Sequence, residues 1–349
     1  MQEEDEEASA PVAVPSSQVQ NQQPVLTVSI AAYNVEGSIR TALDSLLSPS
    51  VVPLLEVLVI DDGGSDGTLA IAREYQDRFP GCVRAIHKPN AGYGSVINTA
   101  IDQARGRYVK QLDGDDWFHT DSLVALVELL SHSQADYVLT PRLNVSADTG
   151  AEELVDCLPG YQPALYDFED LSFTRAIGMH EVTCRTELLR QSGVRLDEHC
   201  LYTDIELVYL PLASVQTLQV THLPLYCHRV GVDGQSISRS GVRAHYREHE
   251  LVFWRLLECY QQLPEDKRGQ RKLFRQRLVD EICGQFHWFC FLRPSYQHWK
   301  ALRAFERQLQ TRCPDLLEGA SRASKHVRAL RFCRGFFYPL VYILEAVQR

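Results

Sequence analysis

Between Val25 and Leu143 the chain alternates short, β-rich apolar runs with segments of helix length, and this alternation limits the fold more than any other feature. "VLTVSIAAY" reads as a first strand, and "EGSIRTALDSLL" as a helix with apolar residues at Ile39, Leu43, Leu46 and Leu47. "LLEVLVID" is a second strand, and the helix in "SDGTLAIAREYQDRF" has Ser65 or Asp66 as its N-cap. "CVRAIHK" is a third strand, "YGSVINTAIDQA" a helix and "GRYVKQL" a fourth strand. "DSLVALVELLSH" is then a helix beginning near Asp121, and "DYVLTPRL" a fifth strand. The strands are almost continuously apolar, as in a parallel sheet covered on both faces by helices. The expected class is α/β: a doubly wound, mostly parallel sheet.

In such sheets ligands bind beyond the carboxyl ends of the strands. Four polar or glycine-rich loops fall there: "YN", "DDGGSDGT", "KPNAGYGS" and "DGDD". In the last, Asp113 ends a strand and Asp115 and Asp116 occupy the turn. Three neighbouring carboxylates repel, and a divalent cation relieves the repulsion. A helix-capping turn is the plainer use of such residues, but the position at a fourth parallel strand end favours a cation site. Asp62 is placed to accept hydrogen bonds from a ribose or a base, or to shape the turn. Tyr33 offers a ring that can stack on a base, beside Asn34. Gly92 and Gly94 allow the backbone to pass close to a ligand. Neither the dinucleotide fingerprint nor a P-loop is present.

Beyond residue 144 the pattern weakens. "CRTELLRQSG" reads as a strand edge entering a helix, "TDIELVYLPLA" as a helix, and "TLQVTHLPLYCHRV" as strands broken at Pro224. From Ser240 the chain reads as helical, with breaks near Pro264, Pro294 and Pro314.

The order Y-N, D-D-G-x-S-D-G-T, N-x-G-x-G and G-R-Y-V-K-Q-L-D-G-D-D resembles the nucleotide-sugar domain of the family 2 glycosyltransferases, from about Val25 to about Ser238. "LYTDIELVYL" is similar to that family's E-D motif, with Thr203 in place of Glu, and "YCHRVGVDGQSIS" to its closing segment. Ala31 and Ala32 stand where the family usually has Pro, Thr or Ser. The resemblance implies a GT-A (Rossmann-like) catalytic domain over residues 25–238 and a basic, helical C-terminal region over 239–349. It implies an inverting, metal-dependent transfer from a nucleotide-diphosphate sugar, a UDP-sugar, with Mn2+ or Mg2+ as cofactor. The acceptor would be a hydroxyl of a glycan or lipid-linked glycan, as in cell-surface polysaccharide synthesis.

By the same resemblance Tyr33 stacks on the base and Asp62 contacts base or ribose. Asp113 and Asp115 form the D-x-D pair that holds the metal. Asp115 is its direct ligand, with Asp113 and Asp116 supporting it or touching the ribose. Asp204 stands at the family's catalytic base, and a carboxylate suits that task. From their own chemistry, His228 and Arg229 at a strand end either approach the diphosphate, where a cation assists leaving-group departure, or are structural.

A nucleotidyltransferase of related plan would need a Gly-rich loop bearing Arg or Lys after the first strand; "AAYNVEGS" has no cation until Arg40. A non-catalytic nucleotide-sugar-binding protein would not need Asp62, Asp113, Asp115 and Asp204 together. The acidic, Pro-, Ser- and Gln-rich stretch to Pro24 lacks the start of a secretory signal and reads as a disordered tail, residues 1–24. Ten cysteines without a C-x-x-C pair fit reduced thiols in a cytoplasmic protein. Residues 239–349 carry 21 Lys and Arg against 11 Asp and Glu, a net of +10. With −10 for the whole chain, residues 1–238 carry −20. The acidic front disfavours nucleic acid. Arg322, Lys325, Arg328, Arg331 and Arg334 recur every third residue before "FFYPLVYIL". Residues 321–349 therefore read either as an interfacial helix, peripheral at the inner face of an anionic membrane, or as a helix packed on the catalytic domain.

Overall fold

The structure, a computed structural model, describes residues 23–231, 239–332 and 338–347. The expected tail lies, through residue 22, outside the described residues. The first half reads β1 (Leu26–Ala32), α1 (Ile39–Leu46), β2 (Leu55–Asp61), α2 (Thr68–Arg78), β3 (Val83–His87), α3 (Tyr93–Gln103), β4 (Tyr108–Asp113), β5 (Trp117–Phe118) and α4 (Thr120–His132). Then follow β6 (Tyr137–Leu139), β7 (Arg142–Ser146), β8 (Glu152–Val155), β9 (Leu165–Asp167), β10 (Val182–Arg185), α5 (Thr186–Gln191), α6 (Asp204–Tyr209), β11 (Thr217–Val220) and β12 (Tyr226–Val230).

The main sheet runs β3-β2-β1-β4-β10-β6-β11-β9. β1 to β4 are mutually parallel, and every residue of β2 is buried, as helices on both faces require. At the end of the sheet away from the site, buried Glu56 gathers Thr27 Oγ1 (2.7 Å), Arg84 Nη1 (2.9 Å) and Arg105 Nε (2.6 Å), tying the starts of β1, β3 and β4 together. Burial pushes this carboxyl up, but the bonds from Arg105, Thr27 and Arg84 bring it below its ordinary value.

One expectation from the sequence is corrected here. "DYVLTPRL" is not one strand: it divides around Pro141 into β6 in the main sheet and β7 in a second sheet of order β5-β12-β7-β8. In the main sheet β10, from 43 residues later, enters antiparallel between β4 and β6. β11 and β12 likewise part at Pro224 into different sheets. α4 begins at Thr120, next to Asp121 as expected, and the His119 ring accepts from Ser122 N at 3.4 Å.

The C-terminal region forms α7 (Arg239–Gln262), α8 (Arg268–Phe289), α9 (Tyr296–Arg312), α10 (Pro314–Ala323), α11 (Lys325–Arg331) and α12 (Tyr338–Val347). The breaks fall near the three prolines, and Pro314 takes the first position of α10, where its missing N–H costs nothing. Leu273, Phe274, Leu278, Ile282 and Phe286 of α8 join one apolar cluster that reaches back to Leu26 in β1. The helices therefore share a core with the sheet. The basic run is not one helix: Ser324 is extended, ends α10 and caps α11 through Val327 N. Arg328 Nη1 donates to the carbonyls of Ser321 (2.9 Å) and Arg322 (3.0 Å), and Arg331 Nε to Glu306 at 3.3 Å. Arg322 pairs with Glu318 on its own helix. Arg334 lies outside the described residues. Among the described residues no helix is long and apolar enough to cross a membrane.

Candidate active site

The carboxyl ends of β1, β2, β3 and β4 open on one side of the sheet, and the polar loops meet there. Just past β1, the Tyr33 ring is 53% exposed. Asn34 adopts a left-handed φ of 55°, which Asn tolerates better than most residues, and its Oδ1 accepts from Ser65 N at 2.8 Å. After β2, Asp61 takes His87 Nδ1 at 2.6 Å and Gly64 N at 3.1 Å. Asp62 is buried and engaged from several sides: Lys88 Nζ at 2.5 Å, Gly92 N at 2.8 Å and Ala91 N at 3.1 Å. Asp66 is not the cap of α2; that position is Gly67, while Asp66 accepts from Thr68 N and Glu36 N, both at 3.0 Å.

Gly92 (φ 85°) and Gly94 begin α3, and the chain segment each must pass is 196–200. A Cβ on Gly92 would stand 3.2 Å from His199 N, and one on Gly94 would run into the Asp197 carbonyl. The close approach is thus to the protein's own loop. That loop leads into Asp204.

At the end of β4, Asp113 Oδ1 accepts from the Tyr93 hydroxyl at 2.6 Å, and its own N–H donates to the Tyr226 hydroxyl at 3.1 Å. The same Tyr226 hydroxyl donates to Asp116 at 2.9 Å, and Arg229 N donates to the other Asp116 oxygen at 2.7 Å. β12 makes this possible, since its antiparallel register with β5 sets Tyr226 opposite Phe118. Asp115, between them, is exposed. Arg229 Nε donates to the Asp115 carbonyl at 3.2 Å, with the guanidinium carbon 4.9 Å from the centre of the Trp117 ring.

Burial pushes Asp113 up to about 7, with the charges of Asp115 and Asp204 adding to it against the hydroxyls of Tyr93 and Tyr226. Burial, then Asp113, pushes Asp116 up to about 8. Asp204, the first residue of α6, is raised by burial, which Arg277 opposes. These carboxylates are held as neighbours in a poorly hydrated place, an arrangement a cation stabilises.

Two imidazoles complete the group. His180 and His228 lie with ring centres 4.6 Å apart, and their nearer ligand atoms and an Asp116 oxygen all fall within 4.8 Å of one another. Nδ1 of each ring is buried without a hydrogen-bond partner. Burial first, then neighbouring cationic side chains, holds both rings below the ordinary histidine value, well below it for His180. A neutral imidazole with a free ring nitrogen is a metal donor. Asp116 with these two rings, beside Asp113 and Asp115, therefore offers a donor set that fits a divalent cation. His180 stands in no sequence motif, and Lys88, Tyr93 and Tyr226, though inside motifs, were given no role there; only the folded sheet brings them to the site.

Residues 27–194 match the sequence model of Glycosyl transferase family 2. An uncharacterized Escherichia coli K12 glycosyltransferase, YibD, is 36% identical over 276 residues, 75% of this chain and 78% of that protein. The chain belongs to glycosyl transferase family 2. The hyaluronan synthase of Pasteurella multocida is 36% identical over 129 residues, but that match spans only 13% of the synthase. Among solved structures, Staphylococcus aureus TarS 1–349, crystallised with UDP-GlcNAc, superimposes with a TM-score of 0.65 at 18% identity over 92% of each chain. The Pyrobaculum calidifontis mannosyltransferase PcManGT, in complex with GDP-Man and Mn2+, gives 0.52 at 15% identity, covering 93% of this chain and 87% of that one. These likenesses establish the GT-A fold of this family 2 enzyme.

Proposed function

We propose that this enzyme transfers a sugar from a UDP-sugar to a hydroxyl of a glycan or lipid-linked glycan, with inversion and with Mn2+ or Mg2+ as cofactor. The observation that carries the reading is the cluster at the end of β4, where three aspartates with raised or exposed carboxyls face two unpartnered imidazole nitrogens. TarS with UDP-GlcNAc and PcManGT with GDP-Man and Mn2+ support the nucleotide sugar and the metal.

In this reading Asp115 holds the cation, Asp113 and Asp116 back it, and His228 offers a nitrogen beside it. The ion, when bound, neutralises charge on the departing diphosphate. Tyr33 stacks on the base, with Asn34, Gly92 and Gly94 shaping the loops under the nucleotide. Asp62 contacts base or ribose through its remaining lone pairs while anchored on Lys88. Arg229 lies against the diphosphate. Asp204 takes the acceptor proton from the face opposite the leaving group, and its raised carboxyl suits a base working near neutral pH. Residues 25–238 act as the catalytic domain and 239–349 as its helical partner. The enzyme works in the cytoplasm, at the inner face of an anionic membrane. Phe332, Leu340 and Ile343, 66%, 50% and 54% exposed, are the apolar contacts for that surface.

A nucleotide-sugar panel read out by released UDP or GDP, with and without metal, tests the reading. Turnover should need Mn2+ or Mg2+ and vanish in Asp115→Ala. Asp204→Asn should still bind UDP but not transfer. Undiminished transfer in both variants would overturn the assignment, and metal-independent turnover would remove the cation from it.

A further inference from the structure

The loop that delivers Asp204 does not hold its own shape. Between α5 and α6 two non-glycine residues sit in the left-handed region, His199 at φ 52° and Tyr202 at φ 65°. A bulky residue there is strained, and such a conformation persists only where its surroundings impose it. From the sheet side, Ala91 O accepts from His199 N at 2.6 Å, and the Asn98 amide brackets both backbone groups of Leu196 (2.9 and 3.0 Å). These contacts stop at His199, five residues short of the carboxylate.

From there the holding groups come from the helical region. Glu248 of α7 accepts from Leu201 N at 2.8 Å. The Tyr202 ring stands edge-on to His249 of α7, 5.7 Å between centres, and against Trp288 of α8 at 4.9 Å; those two rings are themselves 4.1 Å apart. Arg255 of α7 pairs with Asp197 before the strained stretch and, at 3.1 Å, with Glu206 after it. It spans the loop like a strap.

Behind Tyr202 lies a buried chain of charge. Gln285 Nε2 donates to the Tyr246 carbonyl at 3.0 Å, which turns Gln285 Oε1 toward His249 Nδ1, 2.6 Å away. His249 Nε2 faces the Glu281 carboxylate. An oxygen thus stands opposite each ring nitrogen of His249 and holds the ring in place. Arg277 Nη2 lies 2.6 Å from the other Glu281 oxygen, its guanidinium carbon 5.9 Å from the centre of the Tyr209 ring at the far end of α6. This network sits under α6 and over the Asp204 loop, and it fixes the rings that fix Tyr202.

We infer that α7 and α8 position the Asp204 carboxylate, with Tyr202, wedged between His249 and Trp288, and Glu248, bonded to Leu201 N, as the positioning residues. The inference rests on the proposed role of Asp204 as base. Without the wedge the loop relaxes out of its left-handed turns, and the base is no longer aimed at the acceptor hydroxyl. The nucleotide seat on β1 to β4 is left intact. The helical region is then part of the transfer machinery rather than an appendage.

The test is steady-state transfer by the full chain, with the donor identified in the panel above. Tyr202→Ala and Glu248→Ala should each lower kcat by about tenfold or more with the donor KM within about twofold, because misplacing a catalytic group costs rate without costing ground-state binding. Tyr202→Phe, which keeps the ring, should recover most of the rate. Wild-type kcat in both alanine variants, or a loss confined to donor KM, would overturn the inference. If Tyr202→Ala does not fold by circular dichroism, Glu248→Ala decides alone, since that side chain is 26% exposed and its loss leaves the core untouched. Asp204→Asn is run alongside. Undiminished transfer there would remove the base assignment itself, whatever the loop variants do.

Discussion

Replacing Asp116 by Asn should stabilise the metal-free protein, more so as pH rises. Asp116 is 2% exposed, and burial followed by Asp113 pushes it up to about 8; in the unfolded chain it titrates near 4, about its ordinary value. A carboxyl raised in the folded state contributes stability that is fully present below its unfolded value and is lost as pH climbs through the folded one. For one such proton the loss is about 1.4 kcal/mol per pH unit between roughly pH 4 and pH 8. Fully expressed, that is roughly 5 kcal/mol, an upper bound because Asp113, raised to about 7, shares the same protons. Asn keeps both contacts: its oxygen accepts from Arg229 N, and its amide donates to the Tyr226 oxygen. Urea unfolding with chelator at pH 5, 6, 7 and 8 measures the difference between variant and wild type, in which other titrating groups cancel. The variant should gain about 1 kcal/mol per pH unit over the wild type and be more stable by roughly 2–4 kcal/mol at pH 8. Mn2+ in millimolar excess should stabilise the wild type increasingly with pH, because the ion displaces the protons, and should do so less for the variant. A difference that stays flat from pH 5 to 8 would refute the claim that Asp116 is held protonated by its surroundings.

Gly94→Ala should cost about 1–3 kcal/mol, read from thermal unfolding, because its Cβ meets the Asp197 carbonyl. Its transfer rate should fall with donor affinity little changed, since the displaced loop is the one that carries Asp204. Tyr33→Ala should leave the melting temperature near wild type, as the ring is 53% exposed, while weakening UDP binding by about 1 kcal/mol, roughly fivefold by calorimetry. Lys88→Met leaves the buried Asp62 carboxylate without its cation and should cost about 3 kcal/mol in urea unfolding.

Asp62, Gly92 and Asp113 are local features, each at or within a few residues of a strand end, so strand periodicity alone placed them on one edge. What escaped the sequence is what depends on pairing across long separations. Nothing in "TRAIGMHEV" indicates that His180 will stand beside His228, because that contact needs β10 inserted between β4 and β6 and β12 laid on β5 and β7. A short strand such as Val182–Arg185 is too brief to announce its direction, and only the protein around it makes it antiparallel. The basic run over 322–331 is divided between two helices for a related reason. Its three-residue spacing suits a helical stripe, but Ser324 prefers a cap, and Arg328 and Arg331 turn to nearby carbonyls and to Glu306.

The opposite charges of the two halves gain a meaning from these contacts. Arg255 answers Asp197 and Glu206, Lys272 reaches Ser172, and the Gly269 amide takes Glu169, so the basic helices offset part of the acidity of the α/β domain where the two meet. Among the described residues, the carboxylates of Asp113 and Asp116 are held by the hydroxyls of Tyr93 and Tyr226 and by the Arg229 amide. Had selection favoured only stability, a lysine beside Asp113 and Asp116 would have served, as Lys88 does for Asp62 a few ångströms of sheet away. In the proposed reading the sheet keeps Asp62 neutralised by a built-in ammonium and leaves the aspartates at the end of β4 to the cation. That division is what an exchangeable cation requires: a rigid frame whose charge is balanced internally, and an opening whose charge is not.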